Sequence, residues 1–110
     1  MGREHLGELE ALVLAGVARL GTGANGTAVY QDLEARAERE LSLPAIHVTL
    51  RRLEDKGLLR SELGDSSPQG GRPRRFYQPT PDGIRTLREF RDMWGRLWQG
   101  LELPDPEGMA

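Results

Sequence analysis

The chain contains no cysteine in 110 residues. That excludes disulfides, thiolate zinc sites and a cysteine nucleophile, and makes a reducing cytoplasm the expected compartment. Histidine is nearly as scarce: His5 and His47 lie far apart without ligand spacing, so no metal is expected. Long apolar runs are missing too. The stretch Leu9–Leu20 includes Glu10 and Arg19, which leaves it too short and too charged to span a bilayer. It also lacks the basic lead-in and cleavage site of a signal peptide. Met1-Gly2 is no acylation signal, because Leu6 stands where Ser or Thr is needed. No serine has the setting of a nucleophile elbow and no carboxylate pair is spaced for acid–base work, so an enzyme is not expected. Gly21-Thr22-Gly23-Ala24-Asn25-Gly26 spells the GxGxxG pattern, but helical periodicity precedes it where a dinucleotide fold needs a strand. It reads as a turn between helices, and no cofactor is expected.

What the chain does have is an uneven distribution of charge. Its formal net charge is −2, and only one of its 15 cationic residues, Lys56, is lysine. Residues 1–41 carry net −3, residues 42–79 net +3 and residues 80–110 net −2. Attraction to phosphate depends on the local patch rather than the total, so the middle third is the candidate nucleic-acid surface.

The periodicity predicts four helices and a hairpin. Leu6, Leu9, Leu12, Val13, Val17 and Leu20 recur at three- and four-residue steps, giving a first helix over about 4–20. Thr27 is expected to cap a second helix reaching about residue 40, with Val29, Leu33 and Ala37 inward. Ser42 is the expected N-cap of a third, Ser42–Lys56, with Pro44 harmless in its first turn. On it Leu43, Ile46, Leu50 and Leu53 share one face, while Pro44, Ala45, Val48, Arg51, Arg52 and Asp55 look the other way. Gly57 stands where a left-handed cap belongs. Residues 58–63 and 74–78 read as hairpin strands around a loop rich in Gly, Ser and Pro. Thr80 and Pro81 then open a last helix to about Gly100.

Helix, strand, loop, strand and helix in that order is the plan of a winged helix-turn-helix. The expected fold is thus mainly α with a small β-hairpin: a DNA-binding domain over 1–80, a C-terminal dimerisation helix over 81–101 and a flexible tail over 102–110. The loop carries Arg72, Arg74 and Arg75, where such a fold meets nucleic acid. Gly71-Arg72-Pro73-Arg74 also contains the Gly-Arg-Pro core of AT-hook peptides, so the wing is expected on DNA, at the minor groove or the phosphates. His47 flanks the exposed side of the third helix, which favours a DNA contact over a partly buried helix residue or a pH-sensitive switch. The last helix has a broad apolar stripe that includes Leu87, Phe90, Met93, Trp94, Leu97, Trp98 and Leu101. Packing against the first helix would hide part of it; a second copy would hide more, so a homodimer is the favoured reading.

These residues resemble the PadR-like winged-helix transcriptional regulators, small subfamily. The likeness runs from about Leu6 to Leu87. It is strongest in Leu50-Arg51-Arg52-Leu53-Glu54-Asp55-Lys56-Gly57-Leu58-Leu59, in Gly70-Gly71-Arg72-Pro73-Arg74-Arg75-Phe76-Tyr77 and in Thr80-Pro81-Asp82-Gly83. The resemblance implies a homodimeric repressor on double-stranded DNA, with the third helix in the major groove, the wing on the flanking backbone and the C-terminal helix pairing subunits. It also implies release by an aromatic or cationic small molecule, with Trp94 either stacking on that ligand or packing at the interface. Three places depart from the family pattern, at four residues: Asn25, the pair Pro44 and His47, and Pro79. The changes at 44 and 47 alter the reading surface, and they motivate the rival reading, a winged protein-interaction module that no longer binds DNA. In the favoured reading Arg51 contacts a base through a forked bond. Pro44, Ala45 and Val48 supply shape and methyl contacts, and Ser42, His47, Arg52, Arg72, Arg74 and Arg75 hold phosphates or the minor groove.

Overall fold

A computed structural model describes residues 6–37, 40–64 and 73–109. Its elements are α1 (Glu8–Leu20), a single 3-10 turn (Gly21–Gly23), α2 (Gly26–Ala37), α3 (Leu43–Asp55), β1 (Leu59–Leu63), β2 (Arg75–Pro79) and α4 (Pro81–Trp98), with a second 3-10 turn at Pro106–Gly108. The fold is mainly helical with one two-stranded antiparallel hairpin, as the periodicity predicts.

Most boundaries follow from local chemistry. Ser42 caps α3, its Oγ accepting from the Ala45 N–H at 3.1 Å, and Gly57 adopts φ +77° just past the helix end. The cap of α2 differs from expectation. Asn25, not Thr27, supplies it: the Asn25 Oδ1 accepts from the Ala28 N–H at 2.8 Å, and Gly26 and Thr27 already lie inside the helix. An Asn side chain three residues ahead of the orphan N–H has the reach that a cap requires. The first helix opens at Glu8, later than the expected start near residue 4: Gly7 is an extended N-cap (φ −70°, ψ 168°), and its N–H donates to the Glu10 carboxylate at 3.0 Å.

The core lies where α1, α2 and α3 meet, closed by the hairpin. Val13, Leu14, Val17, Val29, Leu33, Ile46, Leu50 and Leu53 are buried, joined by Leu58, Leu59 and Tyr77. Beyond their own pairing (Leu59 opposite Pro79, Leu63 opposite Arg75), the strands hold the turn before α2. The Tyr77 N–H donates to the Ala24 carbonyl at 2.9 Å, and Asn25 bridges to Phe76. Pro79 is tolerated because it sits at the strand end, where the missing N–H costs no ladder bond in the interior.

Thr80 anchors α4. Its N–H donates to the Leu58 carbonyl at 3.1 Å, its hydroxyl donates to the Gly57 carbonyl at 2.6 Å, and its Oγ accepts from the Gly83 N–H at 3.0 Å. Gly83 is required by space: a β-carbon there would stand 2.1 Å from the Leu58 carbonyl oxygen. So fastened, α4 packs Leu87 against the core and then leaves it. From Arg91 to the C-terminal end of the helix every residue is exposed.

Candidate nucleic-acid interface

α3 turns two kinds of surface in opposite directions. Ile46, Thr49, Leu50 and Leu53 are buried, and the Thr49 hydroxyl satisfies itself by donating to the Ala45 carbonyl at 2.8 Å. Ser42, Pro44, His47, Val48, Arg51, Arg52 and Asp55 are exposed, Val48 by 53 %, and Ala45 is half-buried. An apolar side chain left in water among arginines is what a methyl or sugar contact needs. Because Asp55 ends this face and Glu54 flanks it, its cationic part is confined to the first three turns.

The hairpin stands along one flank of that helix. Ser61 ties the two together: its Oγ donates to the Glu54 carboxylate at 2.7 Å and accepts from an Arg75 Nη at 3.0 Å. Burial pushes the Tyr77 phenol above its ordinary value, Glu54 adds to this, and the charges of Arg75 and Arg51 pull the other way. Arg51 of α3 and Arg75 of β2 therefore act on one and the same group, as Glu54 does. Arg74 is exposed at the base of the wing, where its carbonyl accepts from the Gly64 N–H at 2.7 Å. Arg72 lies outside the described residues. Arg52 is on the other flank, toward α1, where its charge acts on Glu10.

Glu10 and Lys56 brace that second flank. The Lys56 ammonium donates to the Glu10 carboxylate at 2.8 Å, joining α1 to the end of α3. Burial pushes Glu10 upward, but the Lys56 bond and the Gly7 N–H outweigh it, and its carboxyl lies below its ordinary value of 4.5. On the far side, Asp32 of α2 binds Arg19 of α1 and Arg36 of its own helix, and the Arg19 bond holds its carboxyl low.

The expected C-terminal group is divided by the fold. Leu87, Phe90 and Trp94 line a groove of about 560 Å³ with Glu8, Leu12 and Ala15 of α1 and Arg91 of α4. Met93, Leu97, Trp98 and Leu101 lie outside it, 42–61 % exposed. Phe90, Trp94 and Trp98 form a ladder one turn apart, with ring centroids at 6.1 and 6.2 Å. The sequence reading missed Ser61 and Glu54 beside the site, and Glu8, Leu12 and Ala15 as its groove wall. Only Ser61 left a signal: it stands two residues after Leu59, the buried member of its strand.

A three-helix core with a wing fastened to the flank of its third helix defines a winged helix-turn-helix protein. The profile of the Transcriptional regulator PadR-like family matches residues 13–89, and the chain belongs to that family. Among solved structures, a PadR family transcriptional regulator from Eggerthella lenta is 34 % identical, with a TM-score of 0.68 over 84 % of this chain and 76 % of that one. A PadR-like transcriptional regulator from Bacillus cereus is 25 % identical, with a TM-score of 0.65 over 84 % and 93 %. Bacillus subtilis PadR, solved in complex with operator DNA, is 18 % identical, with a TM-score of 0.63 over 93 % of this chain and 53 % of that one, a likeness of fold alone. No individually curated protein matches. Members of the family are transcriptional regulators rather than enzymes. Among the described residues no helix is long and apolar enough to cross a membrane, and no side chains gather as metal ligands.

Proposed function

We propose that the protein is a homodimeric transcriptional repressor that binds a two-fold symmetric operator. α3 lies in the major groove, the wing lies over the flanking backbone, and α4 pairs the subunits. The observation that carries this reading is the exposed face of α3, with Pro44, His47, Val48 and Arg51 standing free of the core and Arg75 held beside them by Ser61. Arg51 makes the forked base contact, Pro44, Ala45 and Val48 give shape and methyl contacts, and Ser42, His47, Arg52, Arg72, Arg74 and Arg75 hold the backbone or minor groove. That Bacillus subtilis PadR was solved on operator DNA supports the same use of a shared fold. Dimerisation is supported by the exposed stripe of α4, which one subunit leaves in water. The test is a gel shift with the DNA upstream of the protein's own gene, with stoichiometry read by sedimentation. Retardation as a 2:1 complex is expected; no retardation of any fragment at moderate salt would favour the protein-interaction reading.

The groove between α1 and α4 favours a second element of this reading. Phe90 and Trp94 give it aromatic walls, and Glu8 and Arg91 line it together, which supports stacking of an aromatic or cationic effector that releases DNA. A screen of planar cations by tryptophan fluorescence tests it: quenching should be accompanied by loss of the DNA complex.

A further inference from the structure

We infer that Gly26 is a positioning residue for DNA binding and acts through the imidazole of His47. This rests on the reading of α3 as the helix that meets DNA. A β-carbon at Gly26 would stand 2.2 Å from Cε1 of His47, 2.7 Å from Nδ1 and 3.0 Å from Nε2. The ring thus occupies the space a side chain would take, with its nitrogen-bearing edge against the first turn of α2. The backbone gives no other reason for glycine, since Gly26 is not among the residues at positive φ. The platform under the ring is firm: Asn25 caps the turn, and the hairpin grips Ala24 and Asn25 from below.

An exposed side chain on a helix ordinarily samples several rotamers. Here one is seated at the α2–α3 seam, where Cε1 and Nδ1 lie nearest the Gly26 β-carbon position and Nε2 is the farther nitrogen, and the ring makes no side-chain hydrogen bond among the described residues. The partner that fits is a phosphate oxygen of the duplex. Because the crowding atoms belong to an exposed side chain, a methyl at position 26 swings the ring away and leaves the fold standing.

The test is a double-mutant cycle in DNA affinity for Gly26→Ala, His47→Ala and the pair, with melting temperatures in parallel. Each single variant should weaken binding roughly tenfold, the loss of one hydrogen bond to a charged group. The double variant should be no weaker than either single. A Gly26→Ala cost that is zero, or that is the same with Ala at position 47, overturns the inference. Should Gly26→Ala melt, proton NMR of the unaltered protein decides: nuclear Overhauser contacts between the His47 ring and the Gly26 α-protons are expected, and their absence overturns it. If the unaltered protein retards no DNA, the underlying reading fails together with this one.

Discussion

Arg51 and Arg74 are both exposed arginines, yet the fold gives them different surroundings. Arg51 projects from a rigid helix held by three fully buried side chains, so its guanidinium is aimed; Arg74 leads into a strand from the wing loop. Arg51→Ala should cost about 1–3 kcal/mol of binding and relax the preference at one base pair. Arg74→Ala should weaken all sequences alike and lower the slope of log affinity against log salt by about 1. If binding-site selection showed a uniform loss for both, the division of roles would be wrong. Arg75 is a third case. It donates to Ser61, which is held by Glu54, so Ser61→Ala should weaken DNA binding without touching DNA. Residue chemistry alone marks Arg51 and the wing arginines as candidates. The Ser61 link is not legible in the sequence, because it joins residues 7 and 14 positions apart through a register that only the folded hairpin defines.

At the scale of elements, capping and periodicity carried most of the prediction. The faces of α3 emerge as expected because Ile46, Leu50 and Leu53 fall at helical steps and Ser42 and Gly57 mark its ends. The cap of α2 was misassigned to Thr27 because Asn25 and Thr27 are both good caps in a glycine-rich stretch. Tyr77 and Phe76, which grip that turn, lie some fifty residues away. The junction of β2 and α4 is the most demanding contact. Gly83→Ala would press a methyl onto the Leu58 carbonyl oxygen and should destabilise the fold by about 1–3 kcal/mol in thermal melts, as overpacking does. Thr80→Val should lose a cap, about 1 kcal/mol, and the bond to Gly57 with it. The Glu10–Lys56 bridge gives a pH dependence with a definite sign. A carboxyl lowered in the folded state stabilises the fold above its ordinary value of 4.5, and that contribution is lost as pH falls through the lowered folded value. Glu10→Gln should therefore flatten the acid limb of a melting-temperature profile below about pH 4.5; an unchanged limb would remove Glu10 from the account.

The whole molecule is more extended than its length requires. Its radius of gyration is 16.8 Å, against about 13 Å for a compact domain of this size, and its longest extent is 61 Å. α4 is anchored at Thr80 and Gly83 and then carries Met93, Trp94, Leu97 and Trp98 out into water, and residues 99–109 after it are exposed as well. An apolar arm on a small body suits an obligate pair, so Leu97→Glu should convert a dimer to a monomer in sedimentation with helix content retained. A variant that stays dimeric would move the interface elsewhere. The breadth of the stripe was legible from the sequence. Its division into a groove wall (Leu87, Phe90, Trp94) and a part outside the groove (Met93, Leu97, Trp98, Leu101) was not, because that depends on the angle at which α4 leaves α1. The central claim, that two copies present α3 and its wing to one duplex, is tested most directly by a hydroxyl-radical footprint on the DNA upstream of the protein's own gene. Two symmetric protected half-sites with centres about 10–10.5 base pairs apart, or a multiple of that, are expected. A single protected half-site, or no protection at moderate salt, would contradict the claim.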